Sequence, residues 1–271
     1  MATNVVLIGC GNMGFAMLEG WMKSDPSLRA DVVEPFEQFR VRARDVGAAA
    51  YASVGDLPDD LAPQLVVLAV KPQMVAPVLA ECGALAMRGA TFVSAAAGIP
   101  IATMAAALPA ETPIIRCMPN TPAAIGEGML VLFAGPNVAA ETCALTETLC
   151  ATSGAVAWVE DEALMDAVTA ISGSGPAYVF HFIEALTAAA QSLGLPDDIA
   201  ALLASQTVAG AGRYAQVSET PPGVLREQVT SPNGTTEAAL KVFMTDDRFT
   251  ALVTEAATAA RDRGVALGKG T

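Results

Sequence analysis

The segment from Val5 to Gly14, VVLIGCGNMG, constrains this chain more than any other stretch. Val5-Val6-Leu7-Ile8 is an apolar run of the kind that forms a buried parallel strand. It breaks at Gly9-Cys10-Gly11-Asn12-Met13-Gly14, which matches G-x-G-x-x-G, and a helical pattern follows from Phe15 to Lys23. Gly9 permits the tight turn, Gly11 lets the backbone approach a pyrophosphate, and Gly14 lets the helix pack closely on the strand. The unpaired N–H groups and the positive end of the helix dipole then point at the anion. Alone, such a motif also fits an ordinary strand-to-helix turn. Here a strand precedes it, a helix follows, and an acid, Glu34, stands 20 positions beyond Gly14. That context favours dinucleotide binding.

Composition narrows the class. A chain of 271 residues, 53% hydrophobic and only 16% charged, is globular and can bury a sizeable core. No apolar stretch approaches the length of a bilayer span, and the first apolar run is too short for a signal peptide. A cytoplasmic location is the expectation. The net charge of -13 argues against nucleic acid or an anionic membrane as partner. Cys10, Cys82, Cys117, Cys143 and Cys150 show no paired ligand spacing and read as reduced, mostly buried thiols. The single histidine, His181, excludes a zinc site built on two histidines, and no metal is expected. Flanked by Phe180 and Phe182, it reads as a packed core or interface residue and not a catalytic one.

Up to about Val159 strand-like and helix-like segments alternate. Strands are expected at 31–34, 65–70, 90–94, 113–116, 129–133 and 155–159, with helices at 36–45, 74–87, 101–107 and 137–151. This is the pattern of an α/β domain with a mostly parallel, doubly wound sheet over 1–159. From 160 to 271 no strand is evident, and helical patterns run through 162–171, 177–193, 197–217, 235–243 and 248–264. Pro221-Pro222-Gly223 reads as a stop between helices. The helical half carries more apolar surface than a small bundle can hide, which points to a subunit interface.

Candidate chemistry clusters where the sheet's C-terminal edge should lie, the ligand side of open α/β sheets. Lys71-Pro72-Gln73 follows one strand, and Ala95-Ala96-Ala97-Gly98 follows the next. Met118-Pro119-Asn120-Thr121-Pro122 is a stiff loop whose amide, Asn120, is expected at the nicotinamide end. In the helical half, Ser172-Gly173-Ser174-Gly175-Pro176 reads as a break that restarts a helix. Ser231-Pro232-Asn233-Gly234-Thr235-Thr236-Glu237 opens another helix and has two readings: a carboxylate cradle, or plain N-capping with a capping-box acid. The scarcity of histidine suits reduction of a cyclic iminium. Hydride transfer there cancels a charge, whereas a ketone leaves an alkoxide that needs an acid.

Leu225-Arg226-Glu227-Gln228-Val229-Thr230-Ser231-Pro232-Asn233-Gly234-Thr235-Thr236 resembles the C-terminal signature of pyrroline-5-carboxylate reductases, the last enzymes of proline biosynthesis. Ala69-Val70-Lys71-Pro72-Gln73, Arg116 to Pro122 and Ser172 to Tyr178 match as well, so the resemblance covers essentially the whole chain. It implies an N-terminal Rossmann domain and a C-terminal helical domain that interleaves with a second subunit, the active site lying between the two. It also implies NADPH or NADH as cofactor, held along Ile8, Gly9, Cys10, Gly11, Asn12 and Met13, along Ala69, Val70, Lys71 and Pro72, and along Ala95, Ala96 and Ala97. The substrate carboxylate would meet Ser231, Gly234, Thr235 and Thr236, with Thr236 as the catalytic hydroxyl at the ring nitrogen. Glu162 and Gln228 match positions near the substrate, and Glu219 matches a further family acid. Asn233 replaces a usual glycine. Glu34-Pro35 stands where NADPH-preferring members carry Ser, Asn or Arg, and a carboxylate there favours a free ribose hydroxyl over a 2′-phosphate. Arg40 and Arg42 are near enough in sequence to soften that effect. A β-hydroxyacid dehydrogenase is the rival enzyme, but it would need a catalytic lysine in the second half. Only Lys241 and Lys269 stand there. A non-catalytic dinucleotide-binding module would leave the Ser/Gly and Ser231–Thr236 segments without a purpose.

Overall fold

The computed structural model describes residues 3–268. Its strands are β1 (Asn4–Ile8), β2 (Arg29–Val33), β3 (Ala49–Tyr51), β4 (Leu65–Leu68), β5 (Thr91–Ser94), β6 (Ile114–Met118), β7 (Gly128–Ala134) and β8 (Gly154–Trp158). They form one sheet in the order β3-β2-β1-β4-β5-β6-β7-β8. All pairs are parallel except β6 with β7. Helices α1 (Asn12–Ser24), α2 (Glu37–Asp45), α3 (Val75–Glu81), α4 (Gly83–Met87), α5 (Ile101–Ala105) and α6 (Ala140–Ala151) connect them. The apolar runs of β4 and β5 are buried at every residue, whereas β8 at the sheet's edge is only half-buried. Two apolar clusters flank the sheet. One gathers Val5, Leu7, Trp21 and Val67, the other Val6, Leu68, Leu79 and Phe92. Successive side chains of β1 and β4 thus alternate between the clusters, as a parallel sheet covered on both faces requires.

The helices that follow are α7 (Met165–Val168), α8 (Gly175–Ser192), α9 (Asp197–Val217), α10 (Pro222–Gln228), α11 (Thr235–Met244) and α12 (Arg248–Gly268). The sheet ends where the sequence changes character. The compact units divide later: residues up to Ser174 group with those from Ala260 onward, and Gly175–Ala259 form the second unit. In the second unit only Ala200 and Ala204 are buried among the described residues. Phe180, Leu202, Tyr214 and Leu252 are exposed in the single chain. This apolar surface matches the excess expected from the helical half.

Five local expectations differ from the structure. β3 went unread because a three-residue strand carries too little alternation to see. The helix expected over 74–87 splits at Cys82 into α3 and α4. Pro221-Pro222-Gly223 is a start, not a stop: Pro222 takes the first turn of α10, where its missing N–H costs nothing. The Ser/Gly stretch does not break the helix. Thr169–Gly173 is a π-helical turn joining α7 to α8. His181 is not a core residue: it is exposed in the single chain and pairs with Glu184 at 3.0 Å, which leaves the interface reading.

Candidate active site

The three cofactor segments meet on one edge of the sheet. The N–H of Gly9 donates to Val33 O, that of Ala69 to Ile8 O, and that of Ala95 to Leu68 O, so the three residues step across neighbouring strands. The order reverses at β1, which lies between β2 and β4, the kind of switch point beside which open α/β sheets bind ligands.

The glycine turn fits a dinucleotide by its geometry. Gly9 has φ of 91°, and a Cβ there would sit 2.7 Å from Ala69 O. A Cβ on Gly14 would lie 2.2 Å from Gly9 O, so the helix can approach this closely only without one. Gly11 differs: nothing lies within 4 Å of its Cβ position, and the space beside it is open. Asn12 is exposed and opens α1, so the first N–H groups of that helix face outward without intrahelical partners. Lys71 is exposed beyond β4 and has no acidic partner among the described residues, leaving a free positive charge at the edge.

Both faces of the turn are tied. Glu34 is buried, and its carboxylate accepts from Cys10 N at 2.8 Å and from Phe36 N at 3.0 Å. Arg42 donates to Cys10 O at 2.8 Å and Gly11 O at 3.1 Å, and its guanidinium lies 3.9 Å over the Phe15 ring. Arg40 is engaged with Glu37 and with the carbonyls of Glu34 and Pro35. Both arginines expected to soften the charge of Glu34 are therefore committed inside the chain. Burial pushes the Cys10 thiol up, so the turn carries no thiolate charge against a phosphate.

Glu162 is joined to a residue that sequence reading missed. Its Oε1 accepts from Arg116 Nη1 at 3.0 Å and from Ile101 N at 2.7 Å. Arg116 is buried on β6, and the pair ties the sheet to the start of α5 and to the segment after β8. The only hint in the sequence was a charged residue inside an apolar strand. Replacing Arg116 by Met removes the cation and keeps the bulk, which should cost about 2 kcal/mol of stability, because Glu162 is left half-buried with one donor. Urea unfolding checks it, and an unchanged midpoint would show that the pair contributes nothing.

Asn120 does not present a free amide. Its Nδ2 donates to Ser172 O at 3.0 Å and its Oδ1 accepts from Met129 N at 2.9 Å. One N–H and one acceptor position of the amide expected at the nicotinamide end are thus used within the chain.

In the second unit, Ser231 to Glu237 opens α11 at the N-cap Gly234, and no side chain caps its first turn. Glu237 reaches back to Asn233 N–H, one residue before that cap. Asn233 takes φ of 57°, a left-handed value that asparagine tolerates where the family has glycine. A Cβ on Gly234 would lie 2.5 Å from Ser231 Oγ, so only glycine admits that serine side chain. Thr146, Thr169 and Thr187 return their hydroxyls to the carbonyl one turn back. The Thr235 and Thr236 hydroxyls have no partner among the described residues. With the free N–H groups of the first turn of α11, they form a donor cluster suited to a carboxylate. Gln228 is exposed at the end of α10. Lys241, the lysine a hydroxyacid dehydrogenase would need, is exposed and paired with Glu237 at 3.0 Å; Lys269 lies outside the described residues.

Comparisons with known proteins agree with this geometry. A family model described as pyrroline-5-carboxylate reductase dimerisation matches residues 162–267, and one described as NADP oxidoreductase, coenzyme F420-dependent, matches 4–98. A pyrroline-5-carboxylate reductase of Pseudomonas aeruginosa is 41% identical, covering 98% of this chain and 97% of that protein. The Escherichia coli reductase is 34% identical, covering 99% and 100%. The solved structure of a pyrroline-5-carboxylate reductase from Coxiella burnetii superposes with a TM-score of 0.89 at 33% identity, covering 97% of this chain and 98% of that one. A Plasmodium falciparum pyrroline carboxylate reductase with NADP bound gives 0.83 at 26% identity, covering 98% of each. By sequence over nearly all of its length, and by fold, the chain belongs to the pyrroline-5-carboxylate reductase family.

Proposed function

We infer that this chain reduces 1-pyrroline-5-carboxylate to L-proline with NADH or NADPH, the last step of proline biosynthesis. One observation carries the reading: a single chain holds both a glycine cradle that a Cβ would fill and a helix start whose threonine hydroxyls are unspent. When bound, the dihydronicotinamide supplies the hydride. Ile8 to Met13, Ala69 to Pro72 and Ala95 to Ala97 hold the dinucleotide, with Glu34 at its ribose. Ser231, Gly234 and the N–H groups of Thr235 and Thr236 take the substrate carboxylate, and Glu162 and Gln228 are further substrate residues. The Thr236 hydroxyl accepts from the N–H of the iminium and donates to the nitrogen lone pair of the neutral imine or the product amine, and water supplies any proton the nitrogen needs. No strong side-chain acid is required, because no alkoxide forms.

Residues 1–159 serve the nucleotide and 160–271 the substrate and the assembly. The chain works as a homodimer or a larger homo-oligomer built through the helical half, which would cover its exposed apolar side chains. We place the reaction in the cytoplasm, where the chain's unpaired, mostly buried cysteines stay reduced.

Thr236→Ala tests the assignment. The alanine variant should lose about tenfold in kcat/KM for pyrroline-5-carboxylate, the worth of one hydrogen bond to a polar atom, and Thr236→Ser should recover most of it. Full turnover and affinity in the alanine variant would remove Thr236 from the mechanism. Turnover of a plain 2-oxo acid in place of the cyclic imine would favour a hydroxyacid dehydrogenase.

A further inference from the structure

The Ser/Gly stretch holds a defect that another motif repairs. In an α-helix the carbonyl of residue 172 would accept from the N–H of residue 176, but residue 176 is proline and has none. The proline ring would also crowd that carbonyl. The chain responds by widening: Ser174 N–H reaches back to Thr169 O at 2.8 Å, a π-type bond. The Ser172 carbonyl accepts instead from Asn120 Nδ2 at 3.0 Å. Asn120 is itself oriented by Met129 N–H, which donates to its Oδ1 at 2.9 Å. Beside it, a Cβ on Gly173 would lie 2.5 Å from Met118 Cε, so Gly173 admits a side chain from the same loop. The loop after β6 and the π-turn therefore interlock through a hydrogen bond and a close apolar contact, both within the first unit.

We propose that Asn120 is a positioning residue for hydride transfer. Its carboxamide stands in for the N–H that Pro176 lacks and so fixes the Pro119–Asn120 loop at the ligand edge of the sheet. The proposal rests on the reading that this edge carries the nicotinamide. Asn120 holds the wall beside the reacting ring and does not bind the dinucleotide. Hydride transfer is sensitive to small displacements, so a loosened wall slows chemistry more than it weakens binding.

The test compares dinucleotide affinity with the single-turnover rate of hydride transfer. Asn120→Ala should lower the single-turnover rate about tenfold while the Kd for NADPH and NADH stays within about threefold. Adding Pro176→Ala returns an N–H to the Ser172 carbonyl but no tether to the loop, so the double variant should stay within about twofold of the Asn120→Ala rate. Should the alanine variant fail to fold, Asn120→Asp keeps the shape and the acceptor while losing the donor, and carries the same expectations. A large rise in Kd with an unchanged rate at saturation would make Asn120 a direct cofactor ligand and overturn the proposal. So would a loss of thermal stability alone, or full recovery with Pro176→Ala, which would place the effect in the unpaired Ser172 carbonyl and not in the loop. Failure of the parent enzyme to bind either dinucleotide would instead refute the reductase reading.

Discussion

Gly14→Ala should weaken dinucleotide binding by more than about 100-fold. The new Cβ would stand 2.2 Å from Gly9 O, and real Cβ atoms essentially never come within 3.0 Å of such a neighbour. Helix α1 must retreat by about 1 Å, and the N–H groups aimed at the pyrophosphate move with it. Each hydrogen bond to a charged group is worth about 1.5–3 kcal/mol, so misaligning a pair of them accounts for the loss. Gly11→Ala is the informative companion. Nothing in the chain meets its Cβ, so its thermal midpoint should match the parent, yet its affinity should fall because the methyl group enters the space left for the phosphates. Calorimetric titration with NADH, alongside circular dichroism, reads both effects. Gly14→Ala binding within about fivefold of the parent would mean that this turn is not the cradle.

The second large effect concerns the choice of nucleotide. The parent should use NADH at least as well as NADPH if the ribose lies against Glu34, because an acceptor-only carboxylate there opposes a 2′-phosphate. Arg40 and Arg42 are spent on Glu37 and on backbone carbonyls, so neither cancels that charge freely. Glu34→Ser should raise the NADPH/NADH ratio of kcat/KM by about 100-fold, or about 2.7 kcal/mol of discrimination. The structure adds that absolute efficiency with NADH should fall too, because the Cys10 and Phe36 N–H groups lose their shared acceptor. Steady-state kinetics with both nucleotides separates the two contributions. A parent that strongly prefers NADPH, or a ratio that does not move in the variant, would show that Glu34 only supports the turn.

What could be read in advance was local. The strands were visible as apolar runs and the glycine turn as a fixed spacing. The helix start at Thr235 was visible as a cluster of small hydroxyl residues before an apolar pattern. The missed features depend on partners far along the chain. Arg116 and Glu162 are 46 positions apart, and Asn120 and Ser172 are 52 apart. No periodicity links such pairs. The Ser/Gly stretch was misread as a break because glycine and proline do interrupt helices. The sequence alone could not show that an asparagine elsewhere would supply the missing donor.

The amino-acid order decided which segments are strand or helix, where the backbone can approach a phosphate, and which family the chain resembles. Those properties follow from dihedral freedom, side-chain period and the unpaired groups of a helix end, all set within a few residues. Folding in three dimensions decided how the polar side chains are spent. It committed Arg42 and Glu34 to the turn, Arg116 to Glu162 and Asn120 to a proline's missing hydrogen bond. A buried polar atom must find a partner wherever the fold brings one, and distance along the chain does not enter that requirement.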